Sequence, residues 1–159
     1  MRKFTALAAT ALTTATLLSG TAPTAQARPG PDRPAVWDKR VRCQETDPEG
    51  RKIVTRYGNS WDLGWHHFTS RHNIRKCGIL SAAIRGKVDH DDHNGRLEYD
   101  GVAIRTGPRP AQVKFVVIVQ YARYTKDRRY DAGRGQKIGV VNAFCKNQPH
   151  NKCPAWMNE

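Results

Sequence analysis

The chain has 159 residues, with 27 Lys and Arg against 14 Asp and Glu, a formal net charge of +13. Hydrophobic residues make up 38%, too many for a wholly disordered chain. The length suits one domain or one domain plus a tail, and beyond the N-terminal segment no apolar run approaches the roughly 20 residues of a membrane span.

Arg2 and Lys3 open the chain, Phe4 to Leu18 is an uncharged Ala/Thr/Leu run, and small residues follow to Ala25-Gln26-Ala27. This is the layout of a secretory signal peptide over residues 1–27, cleaved after Ala27. A retained anchoring helix is the competing reading, disfavoured by a short, Thr-rich run. A secreted, extracellular protein is therefore expected. Removing Arg2 and Lys3 from +13 leaves +11 on the mature chain from Arg28 to Glu159.

Residues 28–40 begin RPGPDRP and read as a flexible, basic, Pro-rich leader. A single domain is expected over 41–159, with no internal repeat. Arg51 to Tyr57 reads as a first strand or extended arm. Gly58-Asn59-Ser60 breaks the chain, and Asn59 or Ser60 can cap a helix from about Trp61 to His72. Trp61, Trp65, Phe68 and His72 fall on one helical stripe, while His67 and Arg71 share another face. Gly64 inside this helix is a mild cost. A second helix follows from about Arg75 to Gly86, with Cys77, Leu80, Ile84 and Val88 as its apolar seam.

Asp89 to His93 is polar and leads into the turn dipeptide Asn94-Gly95. Strand patterns then span Leu97 to Ile104, Val113 to Tyr121 and Lys137 to Cys145. Val113, Phe115, Val117, Val119 and Tyr121 share one face of the middle strand, and Val116 and Ile118 point the other way. That strand is expected to be covered on both faces. The order predicts an α+β fold: N-terminal helices packed on a small antiparallel β-sheet.

Cys43, Cys77, Cys145 and Cys153 all lie in the mature chain. An even count in a secreted protein points to two disulfides. Of three pairings, the short Lys/Asn/Pro-rich loop favours Cys145–Cys153, which leaves Cys43–Cys77. Zinc wants tighter Cys or His spacing than these residues have.

The most informative stretch is Gly64-Trp65-His66-His67-Phe68-Thr69-Ser70-Arg71-His72. It resembles the G-W-x-H-[IF]-x-x-R-H signature of bacterial toxin nucleases in the barnase–EndoU–colicin–RelE-like group. Lys137 to Cys145 is similar to the final strand of such toxins, with Asn142 where the pattern more often has Thr and Phe144 where it often has Tyr. The resemblance covers residues 57 to 145. It implies a metal-independent ribonuclease, with Asn142 at a site position and an immunity protein as a partner.

The chemistry stands beside the family. RNA cleavage without metal uses the neighbouring 2′-hydroxyl as nucleophile, a base to take its proton and an acid to protonate the leaving 5′ oxygen. Imidazoles suit both tasks, and a cation stabilises the charge on phosphate. His67 and His72 are candidates for base and acid, and Arg71 or Lys137 for the cation. Five residues along a helix turn through about 140°, so the two histidines are not expected to share a face. His66 reads as a surface imidazole.

The run from Arg123 to Arg134 carries Arg123, Lys126, Arg128, Arg129 and Arg134, interleaved with Tyr124 and Tyr130. Cations neutralise phosphates and aromatic rings stack on unpaired bases, so these seven are candidate RNA-binding residues. The excess positive charge points to RNA or another polyanion. The Asp89 to His93 run fails the calcium-loop pattern and reads as a solvated turn, so no metal and no cofactor are expected.

The expected function is a secreted, monomeric ribonuclease toxin cleaving RNA by transesterification. The alternatives are a non-catalytic basic module that binds a polyanion, or an inhibitor of an extracellular hydrolase. The His/Arg segment separates the enzyme from both.

Overall fold

Asp38–Thr46 (β1) and Lys52–Gly58 (β2) form an antiparallel hairpin in which Thr46 faces Lys52 and Asp38 faces Gly58. Its turn is organised by Asp47. The carboxylate accepts the backbone N–H groups of Glu49 and Arg51, at 3.0 and 2.8 Å, and the Arg51 Nε at 2.6 Å. The buried Tyr99 hydroxyl donates to the same carboxylate at 2.8 Å. Burial alone would raise the Asp47 pKa, but the Tyr99 and Arg51 hydrogen bonds outweigh it and hold it below the usual range. The computed structural model describes residues 36–159. The signal peptide expected over 1–27 and residues 28–35 of the expected leader lie outside the described residues.

Trp65–His72 (α1) and Cys77–Ile84 (α2) follow the hairpin. Then come His90–Asp91 (β3), Arg96–Arg105 (β4), Ala111–Gln120 (β5) and Gly139–Cys145 (β6), a four-stranded antiparallel sheet in that order. Two short 3-10 segments, Pro149–Asn151 and Ala155–Asn158, complete the described chain. Disulfides join Cys43 to Cys77 and Cys145 to Cys153, the two pairs that spacing favours. Among the described residues no helix is long and apolar enough to cross a membrane.

The expected plan of N-terminal helices on a small sheet is overturned. Strand accounts for 38% of the described residues and helix for 19%, and a hairpin precedes both helices. The reason lies in β1. Its sequence DKRVRCQET is mostly charged and mostly exposed, so it carries no apolar alternation. It is held by pairing with β2 and by the bond from Cys43 to α2. Order also reaches back into residues 28–40, because Trp37 is buried edge to face against Tyr130, with ring centroids 6.1 Å apart.

Helix α1 starts at Trp65, four residues later than its capping signals suggest. Asn59 uses Oδ1 to accept the N–H groups of Trp61 and Asp62, at 3.0 and 2.8 Å, and makes a turn there. Gly64 is the N-cap, with φ of 82°. A Cβ on Gly64 would stand 2.8 Å from both the Arg56 carbonyl oxygen and the Gly58 Cα, so glycine is required.

The sheet has two differently used faces. On the first, Val113, Phe115, Val117 and Val119 of β5 pack with Leu97 and Tyr99 of β4 and Phe68 of α1 into the main core. On the second, cross-strand pairing sets rows: Arg96 beside Gln120, Glu98 beside Ile118 and Asn142, and Asp100 beside Val116 and Phe144. Val116 and Ile118 are buried, so β5 is covered on both faces. A smaller core gathers Trp37, Leu63, Tyr130, Ala132 and Ile138.

Candidate functional site

Helix α1 lies against β6, where the Gly64 N–H donates to the Val141 carbonyl at 3.0 Å. This docking brings the helix to the edge of the second sheet face. The His72 ring lies 5.6 Å from the Phe144 ring, centroid to centroid, and His67 meets His72 edge to face at 5.7 Å. The two imidazoles thus come together despite their separation around the helix. Helix α1 ends at His72, where Asn73 turns into the left-handed conformation, and both rings lean over the same margin.

Both imidazoles are half-buried. Each has its Nδ1 shielded from solvent and without a hydrogen-bond partner. Burial pushes the His67 pKa below the usual value. Carbonyls of Ser60 and Trp61 and the Asp62 carboxylate oppose that shift, and Arg71 reinforces it. Burial is also the largest cause at His72, followed by the neighbouring His67. Arg71 itself is exposed, with its guanidinium 6.0 Å from the Trp61 ring. His66 is exposed beside Tyr57.

The remaining candidates divide. Asn142 sits on the second face opposite Ile118, with its Oδ1 accepting the Ala143 N–H at 2.9 Å. Phe144, two residues on, carries that face to His72. Lys137 is elsewhere: its Nζ lies 5.0 Å from the Tyr121 ring, beside a cavity of about 420 Å³ against the β1–β2 hairpin. Of the two cations considered for the phosphate, only Arg71 acts on the histidines.

The basic loop is folded back on itself by an isolated bridge between Tyr124 and Asp131. Arg123 is spent internally in a two-pronged pair with Asp131, at 2.8 Å on each prong. Arg129 pairs with Asp62 at 3.3 Å. Tyr130 is buried, so its ring offers no stacking face; its hydroxyl donates to Asp62 and accepts from the Asn59 amide. Tyr124 is 38% exposed, with Arg123 over one face. Lys126, Arg128 and Arg134 are exposed.

Three residues join the site that the sequence reading did not single out. Asp62 faces both His67 and the basic loop. Gln120, 8% exposed at the end of β5, donates from Nε2 to the Asn94 carbonyl at 3.3 Å. Arg96 pairs with Glu98 at 2.9 Å on the same face. A signal for Gln120 existed: it is a lone amide closing an apolar strand, in register with Val116 and Ile118. No sequence signal marked Asp62, whose place follows from the Asn59 turn that the structure shows.

The Asp89 to His93 run, expected as a solvated turn, contains the short strand β3, and in the turn that follows Asp91 and Asp92 accept backbone N–H groups of His93, Asn94 and Arg96. Among the described residues, no group of three or more His, Cys, Asp or Glu is placed to hold a metal ion. Comparison of the chain with protein-family models, with curated proteins and with solved structures finds no match.

Proposed function

We propose that the protein is a secreted endoribonuclease that cleaves RNA by metal-independent transesterification. The observation that carries this reading is the edge-to-face pair of His67 and His72, with Arg71 alongside. Two structural histidines would ordinarily have their buried nitrogens satisfied, whereas each of these leaves one unpaired. Burial lowers both imidazoles and each charged ring repels a charge on the other, so as pH falls the pair takes up one proton well before a second. That state supplies one neutral base and one charged acid, the combination the reaction consumes.

In the reaction, the neutral imidazole takes the proton of the 2′-hydroxyl. The 2′ oxygen forms a bond to phosphorus, the bond from phosphorus to the 5′ oxygen breaks, and the protonated imidazole gives its proton to that oxygen. The products are a 2′,3′-cyclic phosphate and a free 5′-hydroxyl. Arg71 offers positive charge to the phosphate oxygens as the negative charge builds. Lys126, Arg128 and Arg134 attract the strand from the neighbouring loop.

Two disulfides are compatible with an extracellular protein. A toxin used against competing cells, with an immunity protein protecting the producer, fits this chemistry.

The test incubates purified protein with RNA, with and without chelator. Cleavage that survives chelator, leaves cyclic phosphate ends and falls about 100-fold or more in His67→Ala and in His72→Ala is the expected result. No cleavage, or cleavage abolished by chelator, overturns the reading. A basic module that only binds a polyanion would bind RNA equally well in both histidine variants and cleave it in none.

A further inference from the structure

The β1–β2 hairpin uses its two faces differently. Ile53 of β2 points into the main core, while Lys52, Val54 and Arg56 alternate onto the other face. That other face borders the cavity of about 420 Å³ that also holds Lys137. The volume lies within the roughly 300–1,000 Å³ of small-ligand sites. Val41, Val54 and Tyr121 give it apolar walls, and Lys52, Arg56 and Lys137 bring three cations to it. No Asp or Glu lines it.

Arg56 is the unusual member. It is 6% exposed, yet no carboxylate pairs with it among the described residues. Its Nε donates to the Lys137 carbonyl at 3.2 Å, its Nη1 to the Lys39 carbonyl and its Nη2 to the Gln136 amide oxygen at 3.0 Å. All three acceptors are neutral, and they leave two of the guanidinium's five N–H groups over. The buried Asp47, by contrast, has the Arg51 guanidinium against it. Burial pushes the Arg56 pKa down, with no neighbouring anion to oppose the shift. A guanidinium stays charged in spite of this, and a buried charge without a counter-charge is unfavourable until an anion meets it.

We infer that this cavity binds a phosphate monoester with an apolar body. Three cations call for a ligand of more than one negative charge, which a carboxylate or a phosphodiester does not carry. A guanidinium fork matches two oxygens of one phosphate, and lysine ammonium groups approach the rest as mobile point charges. Lys52 and Lys137 are exposed and have no carboxylate partner among the described residues. The Tyr121 ring, 5.0 Å from the Lys137 Nζ, offers an apolar face next to the charge, where the body of the ester lies with Val41 and Val54. The floor is fixed. Gly139, which opens β6, passes so close to the Val54 carbonyl that a Cβ there would collide with it. None of His67, Arg71 and His72 lines the cavity, so the inference does not depend on the ribonuclease reading.

The experiment is a calorimetric titration of the purified protein with phenyl phosphate, inorganic phosphate and phenol. Expected is phenyl phosphate binding about threefold or more tighter than inorganic phosphate, with no phenol binding in the same range. Lys52→Gln with Lys137→Gln should weaken phenyl phosphate about tenfold or more. Lys87→Gln, which removes an exposed cation beyond α2, should leave binding unchanged. A thermal melt checks the fold of each variant, and Lys52→Gln alone gives a smaller loss in the same direction if the double variant is damaged. Phenyl phosphate that binds no tighter than inorganic phosphate, or equally well in the folded lysine variants and the wild type, overturns the inference. A 2′-O-methyl RNA strand without terminal phosphates, which transesterification cannot cleave, is added as a competitor. Displacement of phenyl phosphate by that strand assigns the cavity to nucleic acid and overturns the inference as well, whereas its failure to displace supports a separate site. RNA cleavage measured without the ester judges the ribonuclease reading on its own.

Discussion

The Tyr130 hydroxyl donates to the Asp62 carboxylate, and this contact ties the turn before α1 to the basic loop. The same hydroxyl accepts from the Asn59 side chain at 3.1 Å. One buried phenol therefore fixes the distance between the helix that bears the histidines and the loop that bears the exposed cations. Tyr130→Phe keeps the ring in the smaller core but strands both partners. A loss of about 1–2 kcal/mol is expected in chemical denaturation. An unchanged midpoint would mean that Asp62 and Asn59 are equally well served by solvent.

The imidazole pair makes stability depend on pH in a defined window. Burial lowers both His67 and His72 below the usual value near 6.5. The unfolded chain then takes up protons that the folded chain resists. Stability is full above about pH 6.5 and is lost as pH falls from there through the lowered folded values. The carboxylates held down near 2, Asp38 and Asp131, act only in more acid solution. Melting temperatures should fall between pH 7.5 and pH 5, and the fall should shrink in a His67→Gln/His72→Gln double variant. The same slope in that variant would place the titrating group elsewhere.

The two disulfides are expected to contribute unequally. Chain entropy assigns about 4 kcal/mol to a loop of the Cys43–Cys77 separation, 34 residues, and about 2.5 kcal/mol to the Cys145–Cys153 separation, 8 residues. Replacing each pair by Ser should therefore lower the melting temperature more for the first pair. Against a total of about 5–15 kcal/mol, loss of both leaves a marginal fold. A reduced protein that melts within a degree or two of the oxidised one would overturn this account.

Affinity for RNA should weaken with salt, and the loop cations should divide in their share of the slope. Arg123 and Arg129 already have carboxylate partners, while Lys126, Arg128 and Arg134 are exposed. Arg128→Ala with Arg134→Ala is expected to reduce the slope of log affinity against log salt by about one to two units. Arg123→Ala should change it less. Equal effects from Arg123 and Arg128 would show that the Asp131 pair opens on binding.

The elements with apolar periodicity were the legible ones. The seam of α2, the strand spans of β4 and β6 and the alternation of β5 were readable, because burial there follows from spacing along the chain. β1 was not, since its position comes from a partner strand and a disulfide rather than from its own side chains. Gly64 was misread as a weak helical residue because its role depends on Gly58 and Arg56 passing close by, a relation no local pattern carries. At the site, His67, His72 and Arg71 were legible as residue types suited to the chemistry. Their meeting was not, because the helix alone would hold the two rings apart. The loop cations were visible, but whether each is free or paired is set by the turn that bends Arg123 onto Asp131.

The seat of α1 depends on residues far along the chain. The Cys153 N–H donates to the His72 carbonyl at 2.8 Å, and the Asn73 side chain donates to the Cys153 carbonyl at 3.0 Å. Asn158 in turn donates to the Asn73 carbonyl at 2.8 Å. A growing chain therefore makes its histidine-bearing helix early but cannot fasten that helix until some eighty residues more have been synthesised. Every nascent form that stops short of Cys153 lacks the clasp at His72. Completion of the seat of the imidazole pair is in this way timed to the late stages of synthesis, by the order of the residues alone.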